Sequence, residues 1–175
     1  MSGQSVSLYG ISYPNYQLVT SSAAELVETS TDNGDGTWSY TVPLIEGYEW
    51  SDGTAVTAND WAWTFKTVKD LALIGSWNSV WPVGSDEVQG VVDVVAVDDY
   101  TVKVTFNYDA GLSGWQYGAA LAPALSETYW GQYATDRETL LAAPADNAPV
   151  ASGFVYDKLE QGAFYTWSYD PNTMY

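Results

Sequence analysis

The chain has 175 residues, with 22 Asp and Glu against 5 Lys and Arg, neither His nor Cys, a formal charge of −17, and an aromatic content of 15% that includes 9 Trp and 14 Tyr. Such a polyanion is repelled by nucleic acid and anionic lipid. Lacking His and Cys, it has no zinc, haem or iron–sulfur site, no Cys nucleophile and no Ser-His-Asp triad, which leaves oxygen-ligated calcium or magnesium as the open metal chemistry.

This length suits one domain that buries roughly 70% of the surface of its unfolded chain. The aromatic excess argues for a folded chain despite the charge. Met1-Ser2-Gly3 shows no positive n-region or long apolar run, so neither a signal peptide nor a transmembrane span is predicted. Charge alone divides localisation evenly between an acidic extracellular surface and an acidic cytosolic protein. Residues 1–23, rich in Ser, Tyr, Gln and Asn, read as a loosely ordered loop or a loosely attached strand. Residues 24–175 read as a single α+β domain.

Leu26-Val27-Glu28-Thr29 is a predicted strand, followed by the turn Asp32-Asn33-Gly34-Asp35-Gly36. Trp38, Tyr40, Val42 and Leu44 then alternate with Ser39, Thr41 and Pro43, a period-2 strand that Pro43 places at an edge or at its end. The turn fails as a calcium loop, because Thr31 and Val42 fall where the two anchoring acids belong. Thr57 as N-cap with Asp60 three positions on predicts a helix. Its apolar stripe is Trp61, Phe65, Val68 and Ala72, and Gly75 is its predicted stop.

A loop from Gly75 to Ser85 holds Trp77, Asn78, Trp81 and Pro82, and its two Trp either fold back on the core or face a ligand. Val88–Val97 and Tyr100–Phe106 form a hairpin around Asp98-Asp99. A short helical pattern follows from Leu112 through Trp115 and Ala119 to Ala122, and another helix starts at Thr135. Strand-like Phe154–Leu159 and Phe164–Tyr169 flank a turn at Gln161-Gly162. The fold class is therefore α+β, with hairpins forming a mixed or antiparallel sheet and two to four helices packed on it.

Carboxylate pairs are the remaining catalytic currency: Glu46 with Glu49, Asp86 with Glu87, and Asp98 with Asp99. Turns and loops need such residues anyway, so no enzyme is expected. Trp38, Trp61 and Trp115 fall on apolar periodicities and are expected in the core. Trp77, Trp81 and Trp63 do not.

The run from Ala24 to Asp60 resembles the signature of the extracellular solute-binding proteins of ABC importers, in the oligopeptide, dipeptide and nickel branch called family 5. Its block G-x-x-W-S-D-G-x-x-x-T-A-x-D is present as Gly47, Trp50, Ser51, Asp52, Gly53, Thr57, Ala58 and Asp60. The later hairpin matches through Val95, Asp99, Thr101, Val102 and Phe106, and Leu121-Ala122-Pro123 resembles a family helix start. Ala151-Ser152-Gly153-Phe154 resembles a strand entry without its Pro, and of the closing motif Tyr169-Asp170-Pro171-Asn172 keeps only Pro171.

The resemblance implies a piece of the N-lobe of a two-lobed periplasmic-binding-protein fold, about subdomain Ib. It implies capture of a peptide or similar small solute by lobe closure, delivery to an ABC permease, an extracellular or periplasmic place, and a membrane anchor outside this chain. No cofactor and no metal are expected. Ligand contacts would come from Trp77, Asn78 and Trp81, while Trp50, Ser51, Asp52, Gly53, Thr57 and Asp60 form a structural motif. A free-standing, acidic, Trp-rich carbohydrate-binding module is the alternative.

Overall fold

A computed structural model describes residues 4–151, 154–160 and 164–169. The fold is α+β. Strands β1 (Tyr9–Ser12) and β2 (Gln17–Thr20) form an antiparallel hairpin. Strands β3 (Thr31–Asp32), β4 (Trp38–Pro43), β5 (Val91–Asp98) and β6 (Thr101–Phe106) form an antiparallel sheet in the order β3-β4-β6-β5. Helix α1 (Ala58–Asp70) packs on this sheet, mainly over β5. Short helices α2 (Ile74–Trp77), α3 (Glu127–Trp130) and α4 (Arg137–Leu141) follow, then the hairpin β7 (Phe154–Glu160) and β8 (Phe164–Tyr169). The expected turn at Gln161-Gly162 lies outside the described residues, as do Ser152, Gly153 and Asp170-Pro171-Asn172.

Period-2 patterning decides the sheet's buried face. Tyr40 and Val42 on β4 lie opposite Val104 and Val102 on β6, and all four are buried. Trp61 and Phe65 on α1 close over them in one core, while Val68 enters a second cluster with Leu73, Leu125, Trp130 and Leu140. Trp61 and Trp115 are core residues as their periodicity predicts; Trp38 is half-buried instead, at the end of β4.

Several local expectations need correction. The segment expected to be loosely attached supplies β1 and β2, and Val6, Leu8, Tyr9 and Leu18 from it enter the main core. Leu26–Thr29 is no strand, because side chains take the place of a ladder there. The Tyr9 hydroxyl donates to the Glu25 carbonyl and accepts from the Val27 amide, both at 3.0 Å, and the Trp115 indole donates to the Val27 carbonyl at 2.6 Å. The last helix begins one residue later than expected, since Asp136 rather than Thr135 is its N-cap and accepts from the Thr139 amide at 2.9 Å. The pattern from Leu112 forms a π-helical turn (Leu112–Gln116) and a 3-10 turn (Ala119–Leu121).

Helix α1 stops at Asp70 and never reaches Gly75. The Leu73 amide donates to the Val68 carbonyl at 2.9 Å and the Ala72 amide to the Lys69 carbonyl at 3.3 Å, which is a Schellman ending. Ala72 occupies the left-handed position, at φ +50°, where glycine is usual. Ala72→Gly is therefore expected to stabilise the fold by about 1 kcal/mol, measured as a raised urea midpoint at constant m-value. A lowered midpoint would show that the strain is not there.

Candidate functional site

The segment between β4 and α1 is organised around one buried carboxylate. Asp60, 4% exposed, accepts from the Thr57 amide (3.0 Å) and the Trp50 indole (3.2 Å) through one oxygen. Its other oxygen accepts from the Glu127 amide at 2.9 Å, 67 residues along the chain. Burial pushes the Asp60 carboxyl above the ordinary range, and the three donors oppose that rise. Thr57 and Asp60 thus form the capping box, and Asp60 also ties α1 to the start of α3.

The turn before them is held in the same way. Asp52 accepts from the Thr54 amide at 3.0 Å, and Gly53 adopts φ +83°, a conformation that favours glycine. Ser51 and Val150 exchange two bonds: the Ser51 amide donates to the Val150 carbonyl at 2.8 Å, and the Val150 amide donates to Ser51 Oγ at 3.0 Å. In this structure Trp50, Ser51, Asp52, Gly53, Thr57 and Asp60 all make architectural contacts.

The Gly75–Ser85 loop carries the predicted ligand contacts, and the structure separates them. Trp81 is buried at 2% exposure and stacks on Phe65, with ring centroids 5.3 Å apart. It supports the loop from beneath rather than facing outward, because α1 offers it an aromatic partner. Trp77 is half-buried against the second cluster, and Asn78 is exposed. Asn78 Oδ1 accepts from the Val83 amide at 3.2 Å, which keeps the loop compact.

Beyond the loop, a turn is stapled to the edge of β5. Val91 donates to the Pro82 carbonyl and accepts from the Gly84 amide, at 2.8 and 2.7 Å. The Asn107 side chain donates to the carbonyls of Ser85 and Val88 and accepts from the Gly90 amide. Sequence reasoning missed Asn107, Val150 and the Glu127 amide, since each partner is remote in the chain. Gly84 and Gly90 pass so closely that a Cβ on Gly90 would lie 2.7 Å from the Pro82 carbonyl oxygen and 2.8 Å from the Gly84 nitrogen. Gly90→Ala is expected to cost about 1–3 kcal/mol. It should also raise amide exchange at Val91, and unchanged exchange there would separate the glycine pair from loop anchoring.

Away from these turns, the flank of α1 and β5 enclose an open groove of about 540 Å³. Trp63, Lys66, Lys69, Asp93, Val95 and Glu127 are among its lining residues. Burial raises the Glu127 carboxyl above its usual range, with a smaller contribution from the Asp60 charge. Lys66 pairs with Asp70 one turn along the helix, and Lys69 lies 5.9 Å from the Phe65 ring centroid. The groove therefore offers one aromatic wall and both signs of charge.

The other candidates are dispersed. Asp98 accepts from the Tyr100 amide in a turn, and Asp32 and Asp35 do the same for Gly34 and Thr37. Glu46, Glu49, Asp86 and Glu87 are exposed. Among the described residues there is no group of three or more Asp or Glu placed to hold a metal ion, and no helix is long and apolar enough to cross a membrane.

Comparison with known proteins joins these features. The bacterial extracellular solute-binding proteins, family 5 (middle region), match residues 20–173. No curated protein matches the chain. Among solved structures, the periplasmic oligopeptide-binding protein of an oligopeptide ABC transporter from Thermotoga maritima superposes with a TM-score of 0.70 at 19% identity. That match covers 98% of this chain and 29% of that one. The oligopeptide-binding protein of Thermus thermophilus, complexed with a pentapeptide, gives 0.71 at 17% identity, covering 98% and 32%. The oligopeptide-binding protein AppA of Bacillus subtilis, in complex with a nonapeptide, gives 0.67 at 14%, covering 98% and 31%. This chain thus spans about a third of the length of the structures it resembles. These relatives are oligopeptide-binding proteins by name. With the family match running over nearly its whole length, the chain belongs to the bacterial extracellular solute-binding proteins of family 5.

Proposed function

We propose that this chain is part of the extracellular solute-binding component of an ABC importer. It contributes one wall of a cleft that captures a peptide or similar small solute as two lobes close, and the loaded receptor delivers the solute to a permease. The family match over residues 20–173 carries this proposal. The likeness to oligopeptide-binding proteins complexed with a pentapeptide and a nonapeptide favours peptide as the solute. The same match favours this reading over a free-standing carbohydrate-binding module. Placement outside the cell or in the periplasm, with an anchor beyond this chain, belongs to the proposal.

Trp77 and Asn78 are the proposed solute contacts, and Trp81 positions them from the core. The test is a thermal-shift screen of the full receptor against peptide and sugar libraries. Bound peptide is expected to raise Tm by mass action. Trp77→Ala in that receptor should weaken peptide binding about tenfold. A receptor stabilised only by non-peptide solutes would overturn the peptide assignment. The 175-residue chain alone should give no measurable peptide heat in calorimetry, and tight stoichiometric peptide binding to it would overturn the shared-cleft proposal.

A further inference from the structure

The two longest stretches of this acidic chain without Asp, Glu, Lys or Arg are residues 1–24 and residues 110–126. The fold packs residues 4–24 against residues 110–126. Val6 and Ala124 exchange backbone bonds of 2.9 and 2.7 Å, Tyr9 meets Trp115 edge to face, and the Tyr117 hydroxyl donates to the Tyr16 carbonyl at 2.9 Å. These packed stretches contribute no ionised side chain of their own to a molecule with a formal charge of −17.

At the tip of that side the turn between β1 and β2 meets the π-helical turn, and three tyrosines stand out into solvent. Tyr13 is 77% exposed, Tyr16 59% and Tyr117 48%. The Tyr13 and Tyr16 rings lie 5.1 Å apart at 68°. The tip is braced, because the Tyr16 amide donates to the Ser12 carbonyl at 2.8 Å and Ser12 Oγ donates to the Gln17 carbonyl at 3.2 Å. The side chains of Asn15 and Gln17 are exposed beside the rings.

We propose that this tyrosine face binds a neutral oligosaccharide. Tyrosine rings stack on the C–H faces of sugar rings, and side-chain amides such as those of Asn15 and Gln17 both donate to and accept from hydroxyls. The charge pattern selects a neutral ligand, because anions are repelled by the molecule as a whole and cations are drawn to its acid-rich remainder. Size selects a small one. At about 200 Å² per ring, the three tyrosines expose roughly 350–400 Å², half of what each partner contributes to a stable protein interface. A second copy of this chain is further opposed by the repulsion between two −17 surfaces. This site is separate from the solute cleft proposed above, so either assignment can fail alone.

The test is an NMR titration of the 175-residue chain with cellohexaose, whose neutral, all-equatorial sugar rings present flat faces. Shifts confined to the rings of Tyr13, Tyr16 and Tyr117 are expected, with a Kd of about 1 mM. Replacing Tyr13 and Tyr16 with Ala should weaken binding about tenfold without lowering Tm, because both rings are exposed. Tyr13→Phe with Tyr16→Phe should retain binding, since stacking survives. If the paired Ala variant fails to fold, Tyr13→Ala alone carries the same expectation. Silent tyrosine rings at about 5 mM sugar would overturn the proposal. So would shifts centred on the Trp77 loop, or sedimentation showing a dimer that the Tyr13 and Tyr16 replacements dissociate.

Discussion

Trp115→Ala should cost about 4–5 kcal/mol, close to the whole stability of many domains of this size. Trp115 has no exposed surface. Its ring stacks on Tyr40 with centroids 4.1 Å apart and planes within 10°, and it meets Tyr9 and Phe106 at right angles. These neighbours come from β1, β4 and β6, so truncation opens a cavity where three elements meet. It also removes the indole donor from the Val27 carbonyl, which Leu26–Thr29 needs because no strand pairs with it. Trp115→Phe keeps an aromatic ring but not the donor, and should cost about 2 kcal/mol. Urea denaturation followed by circular dichroism measures both. A cost under about 1 kcal/mol for the Ala variant would remove Trp115 from the centre of the core.

Asp60→Ala should cost about 3–4 kcal/mol, since it leaves the Thr57 amide, the Trp50 indole and the Glu127 amide without their acceptor. Asp60→Asn keeps the shape and one acceptor oxygen, and should cost about half as much. The two carboxyl states separate with pH. Burial raises the Asp60 carboxyl in the folded chain above its unfolded value, so its contribution is complete below about 3.9 and is lost as pH rises through the raised folded value. The advantage of the native chain over Asp60→Asn should therefore shrink as pH climbs from about 4, then level off. Taking this difference cancels the general repulsion among the other acids. An advantage that grows with pH in that range would mean that the three donors outweigh burial.

Legibility in the sequence followed the range of the interaction. Strands β4 and β6 were readable because alternation of Val, Tyr and Phe with polar residues is a local signal that burial of one sheet face enforces, and β5 was readable as a Val-rich run before a turn. The N-terminus of α1 was readable for the same reason, since Thr57 and Asp60 cap it within four residues. Its C-terminus was not. Gly75 looked like the stop, yet Ala72 takes the left-handed position because Leu73 gains burial beside Val68.

The Trp77, Asn78 and Trp81 loop shows the same limit at the candidate site. Composition marked all three equally, and only the packing of Trp81 on Phe65 sorted a buried ring from the more exposed ones. Residues 1–23 looked loose because they are polar and uncharged. The order of residues 4–23 comes from partners such as Trp115 and Ala124, about a hundred residues away.

Composition, patterning and one dense motif by themselves determined the fold class, the acidic charge, and the resemblance that the family match bears out. Each of these is written in residues close together or summed over the chain. Tertiary structure alone decided that Asp60 reaches the Glu127 amide, that Asn107 staples the Ser85–Gly90 turn, and that two charge-free stretches merge into one tyrosine face. Those outcomes depend on which distant surfaces bury each other, and local periodicity carries no record of that pairing.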